Sequence, residues 1–189
     1  MFERFTKDAR AVVAAAVEHA GETGAESVEA EHLLLALLDR EASRASFALA
    51  ALGLAEGGDA VQEALGSARR RAGLSQADTD ALAGLGIDVS EIVARVEEAH
   101  GVGAMSGDRK GEGESRWFGR RPFGRSAKEV VEKALRIAVA RHDRHIGDEH
   151  ILLALTVRPG VPTEVLADHG VTYESVVRVL YGEGEAQAG

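Results

Sequence analysis

Six side chains able to bind a metal or move a proton crowd one stretch of the C-terminal half: His142, Asp143, His145, Asp148, Glu149 and His150. A metal-dependent enzyme using the His142–His150 loop is the boldest reading of them. Against it, His142 and His145 fall in a polar loop without a recognised ligand spacing. His150 has a twin in His32, where the neighbouring histidines are missing, so shared packing or hydrogen bonding accounts for both. Nucleophilic chemistry has no starting point either: the chain has no cysteine and no Gly-x-Ser-x-Gly elbow. No catalytic residue, metal or cofactor is expected.

Two other groups are built for recognition. Glu31 and Glu149 each precede a histidine at the start of a leucine-rich segment. A carboxylate there meets the positive end of a helix and its free N–H groups, which is reason enough for its presence without a ligand. Asp148 is a good N-cap for such a helix, whereas Ala30 is a poor one and should cost its helix ~1 kcal/mol. Arg116, Arg120, Arg121 and Arg125 surround Trp117 and Phe118. That pair is either a docking segment or a cap folded back on the seam between two units.

The elements that must position these residues are helical. Hydrophobic residues make up 45 % of the 189, much of that alanine, and aromatics only 4 %. Such a core suits helices whose axes approach closely. The net charge of −9 argues against nucleic acid and favours basic protein segments. Met1-Phe2-Glu3-Arg4-Phe5 leads into a polar segment rather than a signal core, and no stretch is long enough to cross a bilayer. Cytoplasmic residence as a monomer, away from membranes, is expected.

An offset of 118 residues (Phe5 to Phe123) reveals an internal repeat. It lays Ala9 on Ala127, Val12-Val13 on Val130-Val131, Glu31-His32 on Glu149-His150, and Leu34-Leu35-Ala36-Leu37 on Leu152-Leu153-Ala154-Leu155. Ala9, Val12, Val13, Ala16, Val17 and Ala20 form one helical stripe, and Ala127, Val130, Val131, Ala134, Leu135 and Ala138 form its copy. Phe5 and Phe123 stand where an apolar residue staples a first turn. Leu52-Gly53-Leu54 and His169-Gly170-Val171 close a helix in each unit, and Thr172 caps a last helix carrying Tyr173, Val176, Val177 and Leu180. Leu85-Gly86-Ile87 repeats that ending between the units, as an extended tail or a partial third copy.

The expected organisation is therefore a first repeat over 1–66, an additional helical segment over 67–100, a Gly/Arg-rich linker over 101–122, a second repeat over 123–182 and a disordered tail over 183–189. The fold class is all-α, with two pseudo-twofold related four-helix units.

Met1-Phe2-Glu3-Arg4-Phe5-Thr6, the paired Glu-His-aliphatic segments and the late Leu-Gly step resemble the N-terminal domain of Clp ATPases, especially the ClpC type. The motor's Gly-x-x-x-x-Gly-Lys-Ser/Thr phosphate loop is missing from this sequence, so the chain looks like a stand-alone Clp N-domain. The resemblance implies a protein-binding module that meets a Clp unfoldase, an adaptor or a client polypeptide. It further implies that Glu31 and Glu149 meet the guanidinium of phosphorylated arginine. The family's Thr is replaced by Ala30 and Asp148, which removes a hydroxyl and sets a negative charge beside a dianionic phosphate. Some relatives bind cyclic peptide antibiotics near the first helix, and Phe2 and Arg10 stand in matching places, so a sequestering decoy is the alternative.

Overall fold

The computed structural model describes residues 3–54, 58–71, 74, 76–101, 104–105 and 121–182. Among them ten helices form and no strand does. The first unit comprises α1 (Lys7–Glu22), α2 (Ala30–Leu38), α3 (Arg44–Ala51) and α4 (Gly58–Arg70). A hairpin of α5 (Gln76–Gly84) and α6 (Val89–His100) follows. The second unit comprises α7 (Arg125–Ala140), α8 (Asp148–Val157), α9 (Val161–Asp168) and α10 (Tyr173–Tyr181). The boundary expected at residue 66 falls inside α4, because its apolar face of Val61, Leu65 and Ala68 runs on to Arg70.

Helix starts follow side-chain chemistry. Thr6 accepts the Ala9 N–H at 3.1 Å, Ser43 that of Ser46 at 3.1 Å and Thr172 that of Ser175 at 3.2 Å. The stripe of α1 buries Ala9, Val12, Ala16 and Ala20. That of α7 buries Ala127, Val130, Val131, Ala134 and Ala138. Leu135, expected in the second stripe, stays 40 % exposed at its edge, and Ile137 closes the face instead.

The leucine-rich helices α2 and α8 form the centre. Leu33, Leu34, Leu37 and Ile151 through Leu155 are buried, as a helix apolar on all sides requires. α1 packs on α2 and α7 on α8, while α2 and α8 pack on each other.

The two units interlock reciprocally at their entrances. Phe5 lies in a single parallel bridge with Ile146, and Phe123 in another with Val28. Thr6 N–H donates to the Ile146 carbonyl at 2.9 Å, and Gly124 N–H to that of Val28 at 2.9 Å. This corrects the staple expected of Phe5 and Phe123. The fourth positions of their helices are Arg10 and Lys128, both exposed, which offer no apolar surface to close on. The phenylalanines pair with the opposite unit instead, so neither unit completes its entrance alone.

No helix among the described residues is long and apolar enough to cross a membrane.

Candidate functional site

The recognisable chemistry collects at the first turns of α2 and α8. Their caps lie one residue earlier than the sequence reading placed them. Glu29 is the N-cap of α2 and Gly147 that of α8, so Ala30 and Asp148 are the first helical residues. Ala30 therefore imposes no capping penalty. Its N–H donates to the Ser126 hydroxyl of the second unit at 2.8 Å. Asp148 is freed from capping its own helix and caps another: it is buried, and its Oδ2 accepts the Ala45 N–H of α3 at 3.0 Å. Glu29 likewise reaches across the units, its Oε2 accepting from the Ser126 hydroxyl and from Ser126 N–H at 3.3 Å.

The paired histidines complete these turns. His32 Nδ1 accepts the Glu29 N–H and His150 Nδ1 the Gly147 N–H, both at 2.9 Å. Each histidine thus occupies the third helical position and satisfies the N-cap N–H, a role usually taken by Glu or Gln. An accepting Nδ1 places the neutral ring's proton on Nε2. In His150 that nitrogen meets Asp143 Oδ2 at 2.9 Å, and in His32 it lies 3.3 Å from Thr23 Oγ1. Both nitrogens of His150 are accordingly engaged by protein groups. His142 and His145 are exposed, and no group of three or more metal-ligating side chains converges among the described residues.

Both candidate carboxylates hold a guanidinium, supplied by the chain itself. Glu31 Oε1 pairs with Arg69 of α4 at 2.5 Å, and Glu149 Oε1 with Arg44 of α3 at 3.0 Å. The environments differ. Glu31 is partly exposed, whereas Glu149 is buried while its arginine stays more than half exposed. Arg44 also lies over the Tyr181 ring, 5.2 Å from its centroid, with Arg141 3.5 Å from the same centroid. A β-carbon at position 147 would overlap the Glu149 carboxylate, so Gly147 leaves the space into which that group folds.

Burial is the largest influence on three titrating groups here, and one of them is the Tyr181 phenol, which it pushes up. It pushes the Glu149 carboxyl above its ordinary value of 4.5, partly offset by a backbone hydrogen bond, His150 and Arg44. It holds His32 below its ordinary 6.5, against the opposing field of Glu31. The consequences for stability have opposite signs. For His32 the unfolded ring takes up the proton first, so its contribution is intact above pH 6.5 and is lost as the pH falls below that value. For Glu149 the folded state binds the proton more tightly, so the ionised carboxylate costs stability once the pH rises past its folded value. Glu149→Gln should therefore melt at a higher temperature than the parent near neutral pH, and this advantage should vanish below pH 4.5. Thermal unfolding across that range measures both trends; a lower melting temperature for the variant at neutral pH would contradict the assignment.

Of the remaining candidates, Arg10 lies exposed on α1. Phe2, Trp117 and Phe118 fall outside the described residues. Arg121 is described and donates to the Ala25 carbonyl, which fixes the chain ahead of α7 against the first unit. Sequence reasoning missed Arg44, Arg69, Ser126 and Gly147. The repeat offset gave a partial signal for the last, since it lays Glu29 on Gly147 and so marks the two turns as chemically unequal.

Comparison with known proteins agrees with this architecture. The chain is 32 % identical over 193 residues to the chaperone protein ClpB of Oceanobacillus iheyensis, a match covering all of this chain but 18 % of that protein's length. The crystal structure of the N-terminal domain of the caseinolytic protease associated chaperone ClpD from Arabidopsis thaliana superposes with a TM-score of 0.51. That match covers 95 % of this chain and 94 % of the other at 20 % identity, a likeness of fold. The Clp repeat (R) N-terminal domain family matches residues 4–101 and 122–188. With its two interlocked helical units and the matching sequence over nearly its whole length, the chain belongs to the Clp repeat N-terminal domain family.

Proposed function

We propose that this chain is a non-catalytic protein-binding module of the Clp protease system, working in the cytoplasm, which recognises clients, adaptors or degradation-marked segments through arginine side chains. The observation that carries this reading is the pairing of buried Glu149 with an exposed guanidinium. A carboxylate held in a desolvated pocket at a cost to stability gains more from a well-placed cation than a solvated one does. Arg44 has the exposure to leave, so an arginine from another polypeptide would replace it by exchange. Glu31 and Arg69 offer a second version of the same exchange, with a more exposed carboxylate and a less exposed arginine.

The family comparison supports the coarser part of this reading, a module of Clp chaperone systems that meets other proteins. The arginine preference is the finer part and has its own test. Calorimetric titration of the full chain with an unfolded polypeptide, with and without phosphorylated arginines, should show binding. Glu149→Gln should weaken it at least ~10-fold, equivalent to about 1.4 kcal/mol. Arg44→Ala should strengthen it, because the internal competitor is gone. Failure to bind either polypeptide or a Clp unfoldase would end the proposal; binding indifferent to both substitutions would remove the arginine preference alone.

A further inference from the structure

The turn that closes each unit occurs a third time. Leu49-Ala50-Ala51-Leu52-Gly53-Leu54, Leu82-Ala83-Gly84-Leu85-Gly86-Ile87 and Leu166-Ala167-Asp168-His169-Gly170-Val171 share Leu, Ala, Gly and a final aliphatic residue at one spacing. Gly53, Gly86 and Gly170 all have left-handed φ, at 90°, 79° and 74°. In each turn the final aliphatic N–H returns to the first leucine's carbonyl, at 2.9, 2.9 and 2.8 Å respectively. An offset of 84 (Gly86 to Gly170) also lays the N-cap Asp88 on the N-cap Thr172, and Ile92, Val93 and Val96 on Val176, Val177 and Leu180. The α5–α6 hairpin is thus a copy of the α9–α10 hairpin.

In the first and last copies the aliphatic stripe is covered, and each hairpin helps to cover the other. α4 packs on α9 and α10 on α3, so Leu49, Leu54, Leu166 and Val171 are all buried. α5 and α6 pack chiefly on each other. Ile87 and Ile92, the counterparts of buried Val171 and Val176, are consequently 41 % and 45 % exposed, and Leu85, the counterpart of exposed His169, is 77 % exposed. Aliphatic side chains gathered on one hairpin at such exposure mark an interaction surface.

Charge selects the occupant. The third hairpin is the most acidic, with Asp78, Asp80, Asp88, Glu91, Glu97 and Glu98 against Arg95 alone, which pairs with Glu91. Two such faces brought together would oppose like charges, which disfavours a second copy of this chain. We infer that the exposed face of α5–α6 is a docking site for a basic amphipathic helix of a partner protein, with an aliphatic stripe flanked by arginine or lysine. The inference rests on the binding-module reading but concerns a surface separate from Glu31 and Glu149.

The test uses the full chain and two synthetic helical peptides with one leucine stripe, flanked by arginines in the first and glutamates in the second. The arginine peptide should bind at least ~10-fold tighter, and its affinity should fall with added salt. Leu85→Asp and, separately, Ile92→Asp should abolish that binding without moving the melting temperature, whereas Glu149→Gln should leave it unchanged. Equal binding of the two peptides, or undiminished binding by both variants, would overturn the proposal. Sedimentation showing a dimer that Leu85→Asp dissociates would assign the face to a second copy instead. Shielding of the Ile92 methyls without any peptide, lost on Trp117→Ala, would assign it to the chain's own arginine-rich segment. Loss of peptide binding in Glu149→Gln would leave the arginine site standing and this one refuted.

Discussion

Asp148→Ala is expected to destabilise the fold by about 2–3 kcal/mol, the range for losing a hydrogen bond to a charged acceptor and leaving its donor buried. The reason is the position of the side chain rather than its helix. Asp148 is only 2 % exposed, and its carboxylate accepts the Ala45 N–H at the second position of α3. Ser43 already caps α3 through Ser46, so the Ala45 N–H is a donor that the first unit does not satisfy. Asp148→Asn keeps an acceptor oxygen without the charge and should lose about half as much. Equilibrium urea unfolding followed by circular dichroism measures both, and an unchanged slope would show that stability alone has moved. A parental midpoint for the alanine variant would mean that this contact does not hold α3 to α8.

His150→Ala should cost more, roughly 3 kcal/mol, because two losses combine. The ring is 1 % exposed, so its removal leaves a cavity in the centre of the second unit. Its Nδ1 also satisfies the Gly147 N–H, which would then be buried without an acceptor. His150→Gln can return an oxygen to the third helical position and should recover part of the loss. Hydrogen exchange at the Gly147 amide separates the two contributions: it should accelerate in the alanine variant and stay slow in the glutamine variant. Equal exchange in both would show that the histidine acts by packing alone. The substitution at His32 should follow the same order with a smaller effect, since its Nε2 partner, Thr23 Oγ1, is more distant at 3.3 Å.

The sequence carried the parts of this protein that depend on local period and composition. The stripe of α1 from Ala9 to Ala20 predicts a helix because its spacing matches 3.6 residues per turn, and that helix forms. Thr172 and Gly170 announce the last helix and the turn before it, because a hydroxyl acceptor and a residue tolerant of left-handed φ are local requirements. The 118-residue offset revealed two related units because homologous packing keeps homologous apolar positions. Family resemblance rested on the same residues and extends to the fold. Of the candidate site, the sequence found the carboxylates Glu31 and Glu149 and the adjoining histidines, since their types and position in a first turn are legible without coordinates.

Everything that joins the two units was decided by tertiary structure. Phe5 read as a local staple, yet its backbone pairs with Ile146, because the register across the entrance exists only once the two units are folded together. Asp148 read as a cap for its own helix, yet it caps α3, a partner more than one hundred residues away in the chain. Ala30 read as a missing cap, yet Ser126 of the other unit takes its N–H. The guanidinium of Arg44 had no sequence link to Glu149 of the other unit, nor, within the first unit, had that of Arg69 to Glu31. A one-dimensional pattern reports which face of a helix is apolar and where a helix starts. It does not report which distant donor arrives at that start, because that depends on the crossing of helices whose faces the pattern describes only one at a time.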